Sequence, residues 1–201
     1  MKIEKHLLVA EDGDNLRFEK SPNQSAPISP LYLIMHYTAG PTLDGAVEWF
    51  KKEEAKASAH LVIGRSGEIV QMVAFNKKAW HAGKSVWGNL EGMNQYSIGI
   101  ELVNAGKLRR RSDGKWVNWA NNIIPDNEVA EATHESESSL AGWHEYTEAQ
   151  VMAAIEVATL LDGIYQFTDV LGHEDVSPSR KVDPGPLFPM KSFRSIVLGR
   201  A

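Results

Sequence analysis

Hydrophobic and polar residues alternate along the chain in short blocks that predict strands interleaved with helices. The runs at 31–36 (LYLIMH), 59–64 (AHLVIG) and 68–73 (EIVQMV) are apolar and short, which is typical of buried strands. Residues 65–67 (RSG) separate the last two runs and indicate a hairpin. The segment 97–103 (SIGIELV) places Ser, Gly and Glu at alternate positions and Ile and Leu between them, so it predicts a strand with two different faces.

Three segments have the pattern of helices. Residues 43–54 follow Thr42, which can cap a helix. Residues 148–165 carry an amphipathic stripe, and Thr147 opens a capping box, TEAQ. A short final helix, PMKSFRSIVL, has Pro189 near its start. Strands that alternate with helices, together with one hairpin, predict an α/β fold with a mixed central β-sheet flanked by α-helices.

Two segments lie outside this pattern. Residues 1–30 are interpreted as an irregular lead-in, because 11–30 is polar and rich in Pro, Ser and Asn. Residues 104–146 join a basic run to an acidic run with weak periodicity, which predicts a long surface insertion with a hairpin around residues 113–114. The insertion is either a solvated loop, which its composition favours, or a flap that contacts substrate. The chain of 201 residues suits a single domain, 1–201.

Composition narrows the classes of function. A formal charge of −5 gives no reason to expect nucleic acid as a partner. The absence of cysteine excludes disulfides, Cys-ligated zinc, a thiol nucleophile and a lipid anchor through Cys. The apolar run LLVA near the start is too short for a signal peptide, and no apolar segment is long enough to span a membrane. We therefore expect a monomer that is cytoplasmic as synthesised and does not insert into a membrane.

The candidate chemistry lies in a polar loop at 172–185, GHEDVSPSRKVDPG. It contributes His173 and Asp183, and His36 stands at the end of an apolar strand. Each histidine taken alone could be a satisfied structural residue. Together the three form a His/His/Asp set that suits zinc, because three protein ligands leave the fourth tetrahedral position to water. Zinc lowers the pKa of its water from about 15.7 to about 7 and so supplies hydroxide at neutral pH.

Two further residues fit the roles that such a centre needs. Glu101 lies on the polar face of its strand beside small residues, and it is the best candidate for a base that orients the water. Lys181 lies two residues before Asp183, so its cation can stabilise an oxyanion. The structural alternatives are a Glu101 that pairs with a surface lysine and a Lys181 that is merely solvated. Of the seven histidines, His6, His134 and His144 are expected at the surface.

Five blocks of sequence resemble one family in the right order. They are LIMHYTAG, SAHLVIGRSGEIVQMV, AWHAG, YSIGIELVNAG and GHEDVSPSRKVDPGP. They resemble the zinc-dependent N-acetylmuramoyl-L-alanine amidases of type 2, a group that includes muropeptide-recycling amidases and phage lysozymes and is related to peptidoglycan-recognition proteins. The resemblance covers roughly residues 31–106 and 147–190 and implies the fold of that family.

The resemblance implies a role for each residue of the candidate centre. It makes His36, His173 and Asp183 the ligands of one Zn²⁺ per chain. It makes Glu101 the catalytic base and Lys181 the group that stabilises the transition state. Each of these five positions matches a residue of the corresponding family block.

The chain departs from some family members at one position. Ala59 stands before His60, where those members have a catalytic Tyr, so that role falls to Glu101. His60 is expected to be structural, and His81 in AWHAG either positions its loop or contacts substrate. Trp87 is expected to pack on a sugar or a peptide stem.

The implied reaction is hydrolysis of the amide between the lactyl group of N-acetylmuramic acid and L-Ala of the stem peptide. The implied partners are peptidoglycan or soluble muropeptides. Two settings stay open: recycling of soluble anhydro-muropeptides, and a phage or prophage endolysin released at lysis. The alternative from another class is a non-catalytic peptidoglycan-binding module of the same fold.

Overall fold

A computed structural model of the chain describes residues 1–12 and 16–200. The strands of the described residues, numbered in chain order, are β1 (Lys2–Glu4), β2 (Leu7–Val9), β3 (Gln24–Pro27), β4 (Tyr32–Tyr37), β5 (Leu61–Ile63), β6 (Ile69–Gln71), β7 (Lys77–Ala79), β8 (Val86–Trp87), β9 (Leu90–Glu91), β10 (Ser97–Leu102), β11 (Lys107–Arg110), β12 (Trp116–Val117), β13 (Ile123–Ile124), β14 (Val129–Thr133), β15 (Leu140–His144) and β16 (Asp169–Gly172). The α-helices are α1 (Leu43–Phe50), α2 (Glu148–Tyr165), α3 (His173–Val176) and α4 (Met190–Leu198). Single 3₁₀ turns lie at Glu53–Ala55, Met93–Gln95 and Asp126–Glu128.

The central sheet has five strands in the order β16–β4–β10–β5–β6. The first four are parallel and β6 is antiparallel to β5, so the sheet is mixed, as expected. The hairpin predicted at residues 65–67 joins β5 to β6. Because parallel strands have their carboxyl ends at the same edge of a sheet, the ends of β16, β4 and β10 meet in one place.

The two faces of the central sheet bury different residues. On one face the even positions of β10 pack against α2 and α4. The main members of this cluster are Leu33, Met35, Ile98, Ile100, Leu102, Ala154, Val157, Leu161, Phe193 and Val197. On the other face α1 covers β5 and β6 through a cluster that contains Val47, Phe50, Val62 and Val70. The odd positions of β10, which include Glu101, therefore face away from α2, as the alternation of the sequence predicted.

The insertion at 104–146 is a second sheet, and its interpretation as a solvated loop is wrong. Its five antiparallel strands have the order β13–β12–β11–β15–β14. A small core that includes Leu108, Trp116 and Ile124 packs between them. Each strand is at most five residues long, so the sequence pattern is too short to reveal it. The hairpin expected around residues 113–114 is confirmed, because it joins β11 to β12.

Two other elements differ from the prediction. The lead-in at 1–30 contains β1 and β2, which form an antiparallel pair, and β3, which pairs with β7. The part of that lead-in at residues 13–15 lies outside the described residues. The strand β16 was not predicted. It places His173 directly after a strand of the central sheet.

The helices largely follow the prediction. Helix α2 has the predicted bounds, and the Thr147 Oγ1 atom accepts a hydrogen bond from the Gln150 amide at 3.2 Å. Helix α1 starts after Thr42, as expected, but ends at Phe50, and a 3₁₀ turn follows it. Within residues 1–12 and 16–200, no helix combines the length and the apolar character needed to cross a membrane.

Candidate metal centre

The central sheet carries three candidate residues to one edge. In the pairing of β4 with β10, His36 lies opposite Glu101. In the pairing of β4 with β16, Met35 lies opposite Gly172, so His173 follows at the level of His36. Side chains at paired positions of neighbouring strands point to the same face of a sheet. His36 and Glu101 therefore share the face that α2 leaves uncovered.

His36, His173 and Asp183 converge on a single point. The His36 Nδ1 atom lies 2.9 Å from His173 Nδ1 and 3.1 Å from Asp183 Oδ2. The His173 Nδ1 atom lies 2.9 Å from the same carboxylate oxygen. The three residues are 1%, 3% and 6% exposed, respectively. Among the described residues they form a cluster whose ligand atoms could hold one metal ion.

The chemistry and spacing of these three atoms fit zinc. Two imidazole nitrogens and a carboxylate oxygen are common zinc ligands. With bond lengths of about 2.0–2.1 Å, neighbouring ligand atoms of a tetrahedral zinc ion are about 3.3 Å apart. The observed separations of 2.9–3.1 Å are close to that value. A set of three protein ligands leaves one position for a non-protein ligand, as in catalytic sites.

The protonation of the cluster also favours a cation. Burial, together with the charge of His173, lowers the pKa of His36 to about 4, so its imidazole is neutral at pH 7. Burial alone would raise the pKa of Asp183. The contacts with His173 and His36 outweigh burial and hold the pKa of Asp183 well below its usual range. Neutral imidazole and ionised carboxylate are the forms that bind a metal ion.

Glu101 is a buried carboxylate without a partner at one oxygen. The residue is 9% exposed, and its Oε2 atom has no hydrogen-bond partner among the described residues. Burial raises the pKa of Glu101 to about 8, the negative charge of Asp183 adds to the rise, and Lys181 opposes it. A carboxyl group with a pKa near neutrality can take up and release a proton at physiological pH. Lys181 itself is partly buried, and its charge also lowers the pKa of His36.

The insertion supports the loop that carries Asp183. The His134 Nε2 atom lies 2.7 Å from Glu174 Oε2, and that oxygen accepts a hydrogen bond from the Gly185 amide at 3.3 Å. Trp143 packs so closely on Gly185 that a Cβ atom there would lie 2.8 Å from the indole ring. The loop between His173 and Gly185 is therefore held from outside the central sheet.

Two histidines of the insertion were expected at the surface, and that prediction is wrong. His134 is 2% exposed and His144 is 4% exposed. The His144 Nδ1 atom accepts a hydrogen bond from the Ala105 amide at 3.0 Å. Both histidines are buried because the insertion folds back on itself as a sheet. His6, in contrast, is exposed, as expected.

The remaining candidates surround the centre in different ways. His60 is buried, and both ring nitrogens contact backbone groups: Nδ1 accepts a hydrogen bond from the Gly99 amide at 3.0 Å, and Nε2 lies 2.8 Å from the Lys77 carbonyl oxygen. These contacts fit the structural role expected for it.

His81 is 8% exposed, and its Nδ1 atom lies 2.9 Å from His36 Nε2. Trp87 is partly buried and packs beside a small apolar cluster of Ile34, Ala82, Met93, Leu171 and Val176.

Two groups near the His36, His173 and Asp183 cluster were not predicted from the sequence. The carbonyl oxygen of Ala82 lies 3.1 Å from His173 Nε2. The Asn94 Oδ1 atom accepts hydrogen bonds from the amides of His81 and Ala82 at 3.0 and 2.7 Å. A backbone carbonyl carries no side-chain signal, and the partners of Asn94 depend on the folded loop. The AWHAG block was the only sign in the sequence that this segment matters.

The chain is similar to known amidases over most of its length. Residues 25–186 match the model of the family described as N-acetylmuramoyl-L-alanine amidase. Over 160 residues the chain is 35% identical to the 1,6-anhydro-N-acetylmuramyl-L-alanine amidase AmpD of Escherichia coli. The aligned region covers 78% of this chain and 68% of AmpD.

Solved structures share the whole fold. A crystal structure of AmpD superposes with a TM-score of 0.64 at 27% identity and covers 98% of this chain and 99% of the other. The amidase AmiD of Escherichia coli superposes with a TM-score of 0.63 at 26% identity. That match covers 94% of this chain but only 65% of AmiD. Because the family model extends over most of the sequence, the chain belongs to the N-acetylmuramoyl-L-alanine amidase family.

Proposed function

We propose that this chain is a zinc-dependent amidase. Its reaction is hydrolysis of the amide between the lactyl group of N-acetylmuramic acid and L-Ala of the stem peptide. The observation that supports it best is the buried convergence of His36, His173 and Asp183 beside a carboxylate, Glu101, that has an unpartnered oxygen. Buried polar atoms normally have hydrogen-bond partners, and exceptions are concentrated at functional sites.

His36 Nδ1, His173 Nδ1 and Asp183 Oδ2 would hold the metal. Zinc in such a site lowers the pKa of a water molecule to about 7 and polarises a carbonyl oxygen. The burial of the three ligands keeps bulk water away and strengthens every charge interaction in the site. One zinc ion per chain is expected, because the described residues contain a single cluster of this kind.

Glu101 moves the protons of the reaction. With zinc bound, the nearby cation would favour the ionised form of Glu101, and its Oε2 atom accepts a proton as the water oxygen bonds to the carbonyl carbon. The same oxygen then delivers that proton to the amide nitrogen, and the C–N bond breaks. The products are a free carboxyl group on the muramyl lactyl moiety and a free α-amino group on L-Ala. The Lys181 ammonium group stabilises the negative charge that develops on the carbonyl oxygen.

The names of the relatives support a substrate class. AmpD is named for the 1,6-anhydro-muramyl amide, and the AmiD structure contains anhydro-N-acetylmuramic acid-L-Ala-D-γ-Glu-L-Lys. We therefore propose a soluble 1,6-anhydro-muropeptide as the substrate of this chain. Intact peptidoglycan has the same amide bond, so the two substrates must be separated by experiment.

Substitution of the proposed base tests the chemistry. Glu101→Ala is expected to bind zinc like the wild type and to lose at least about 10²-fold in turnover, because only proton transfer is removed. His36→Ala and Asp183→Ala are expected to lose zinc and activity together. Zinc content is measured by elemental analysis, and turnover by mass spectrometry of the released peptide. Turnover that survives in Glu101→Ala, or full zinc content in both ligand variants, would contradict these assignments.

A parallel assay identifies the physiological substrate. Purified protein is incubated with intact sacculi and with soluble 1,6-anhydro-muropeptides, and the products are analysed by mass. Faster release of free peptide from the soluble substrate is expected, and Glu101→Gln is the inactive control. Preferential release from sacculi would favour the endolysin role. A non-catalytic peptidoglycan-binding module is the alternative function, and it would bind both substrates without releasing peptide.

A further inference from the structure

We infer that two consecutive residues, His81 and Ala82, orient both imidazoles of the metal centre, and that His81 is a positioning residue for His36. The inference rests on the proposed zinc site. Both residues lie in the loop that follows β7. One contact comes from the His81 ring and the other from the Ala82 backbone, and each reaches the nitrogen of a metal-binding histidine that faces away from the metal.

The contact with the Ala82 carbonyl favours one tautomer of His173. The His173 Nε2 atom lies 3.1 Å from the carbonyl oxygen of Ala82, which can only accept a hydrogen bond. In the tautomer that can bind a metal, Nε2 carries the proton and donates it to this oxygen; the Arg180 Nη2 atom, 3.4 Å from Nε2, donates to the same carbonyl oxygen at 3.0 Å. The Nδ1 atom, which points to His36 and Asp183, keeps its lone pair for a metal ion.

His36 needs the same arrangement, and its partner is a side chain. Its Nδ1 atom belongs to the metal cluster, so binding requires the proton on Nε2. The His36 Nε2 atom lies 2.9 Å from His81 Nδ1. His81 Nδ1 can accept a hydrogen bond from His36 Nε2 only if His81 carries its own proton on Nε2. The tautomer of His81 therefore decides whether the His36 Nδ1 atom presents a lone pair or a proton to the metal.

A fixed acceptor at the end of this chain of hydrogen bonds sets the direction of all of them. The Ser97 hydroxyl donates to the Met93 carbonyl oxygen at 2.6 Å. Its oxygen is then available to the His81 Nε2 atom at 3.4 Å. Because the Met93 carbonyl oxygen can only accept a hydrogen bond, each group in this series donates its hydrogen bond in the direction of Met93. The order is His36, His81, Ser97 and Met93, and it leaves the Nδ1 lone pair of His36 free.

The fold makes room for the His81 ring and holds its backbone. A Cβ atom at Gly99 would lie 2.4 Å from the ring, so a glycine at this position of β10 is what lets the ring lie against the strand. The Asn94 Oδ1 atom accepts hydrogen bonds from both the His81 and the Ala82 amides. Further along the loop, the Ser177 hydroxyl donates to the Lys84 carbonyl oxygen at 2.9 Å. The loop is thus held at the two orienting residues and again just after them.

Two variants of His81 separate orientation from simple packing. His81→Asn keeps an acceptor where Nδ1 lies, whereas His81→Leu fills similar space without one. We expect the zinc dissociation constant, measured by competition with a chromogenic chelator, to rise about 10- to 100-fold in His81→Leu. In His81→Asn a clearly smaller rise is expected. A Co²⁺-substituted sample of each variant gives an independent signal, because its visible absorption bands change when a ligand ring turns.

A second buried histidine provides the control. His144→Leu also removes a buried imidazole, but on the insertion sheet, and its zinc dissociation constant should equal that of the wild type. If His81→Leu does not fold, Ser97→Ala removes the acceptor for His81 Nε2 and is expected to weaken zinc binding in the same direction. Unfolding of each zinc-free variant in urea measures stability separately.

Each result decides between the alternatives. Weaker zinc binding in His81→Leu that is largely restored in His81→Asn supports the inference. Unchanged binding in His81→Leu, or equal losses in the two His81 variants, would overturn it, because a purely packing role does not distinguish an acceptor from a methyl group. If the wild-type chain itself binds no zinc, the proposed function fails rather than this assignment alone.

Discussion

The buried carboxyl group of Glu101 should make the metal-free protein less stable as the pH rises. Burial raises the pKa of Glu101 from 4.5 to about 8 in the folded chain. The folded protein therefore keeps a proton that the unfolded chain releases above pH 4.5. By linkage, the stabilising effect of this proton is complete below pH 4.5 and is lost as the pH rises towards 8.

The size of the effect follows from the pKa difference. One pKa unit corresponds to about 1.36 kcal/mol, and both titrations are partly complete within this range, so the loss between pH 5 and pH 8 is about 3.5 kcal/mol. Glu101→Gln removes the titrating group and keeps the shape of the side chain. Its stability relative to the wild type should therefore increase by that amount over the same pH range. Any constant cost of burying the amide cancels when the two pH values are compared.

The assay is urea unfolding of both proteins in the presence of EDTA at pH 5, 6, 7 and 8. Glu131→Gln, which replaces an exposed carboxylate on β14, is the matched control and should follow the wild type. Parallel curves of stability against pH for the wild type and Glu101→Gln would refute the reasoning. They would mean that water or Lys181 solvates the carboxylate well enough to cancel the cost of burial.

Three further variants test other parts of the structure. Gly99→Ala should weaken zinc binding about 10-fold or more, because the new Cβ displaces the His81 ring, and chelator competition measures it. His134→Ala should destabilise the fold by about 1–3 kcal/mol in urea unfolding, since it leaves the Glu174 carboxylate without its partner at 2.7 Å. Thr147→Ala should cost about 1 kcal/mol in the same assay, because the first turn of α2 loses its cap. Wild-type values in any of these would contradict the corresponding contact.

The parts of the fold that the sequence predicted are those with a regular local pattern. Alternation at 97–103 assigned Glu101 to the face opposite the apolar residues of β10, and the structure agrees. The capping sequence at Thr147 located the start of α2 correctly. Strand alternation and helix caps depend on neighbouring residues, so a single segment contains all the information needed.

The insertion at 104–146 has no such local pattern. Its strands β11 and β15 pair across more than 30 positions of sequence, and each contributes few apolar residues. Leu108 and Trp116 enter its core, but neither lies in a segment with a readable period. His134 and His144 were assigned to the surface for the same reason. Burial there results from pairing between distant strands, which a local pattern does not encode.

Some features of the candidate metal centre could be predicted from the sequence, and others depend on the tertiary structure. Residue type and strand position in the sequence determined which groups can bind zinc or move a proton: His36, His173, Asp183 and Glu101. Tertiary structure alone decided that β16 brings His173 beside His36, and that His81 and the Ala82 carbonyl turn both rings. The physical reason is that ligand identity is a property of the side chain. The direction of a lone pair depends on hydrogen bonds whose partners lie far away in the chain and meet only in the fold.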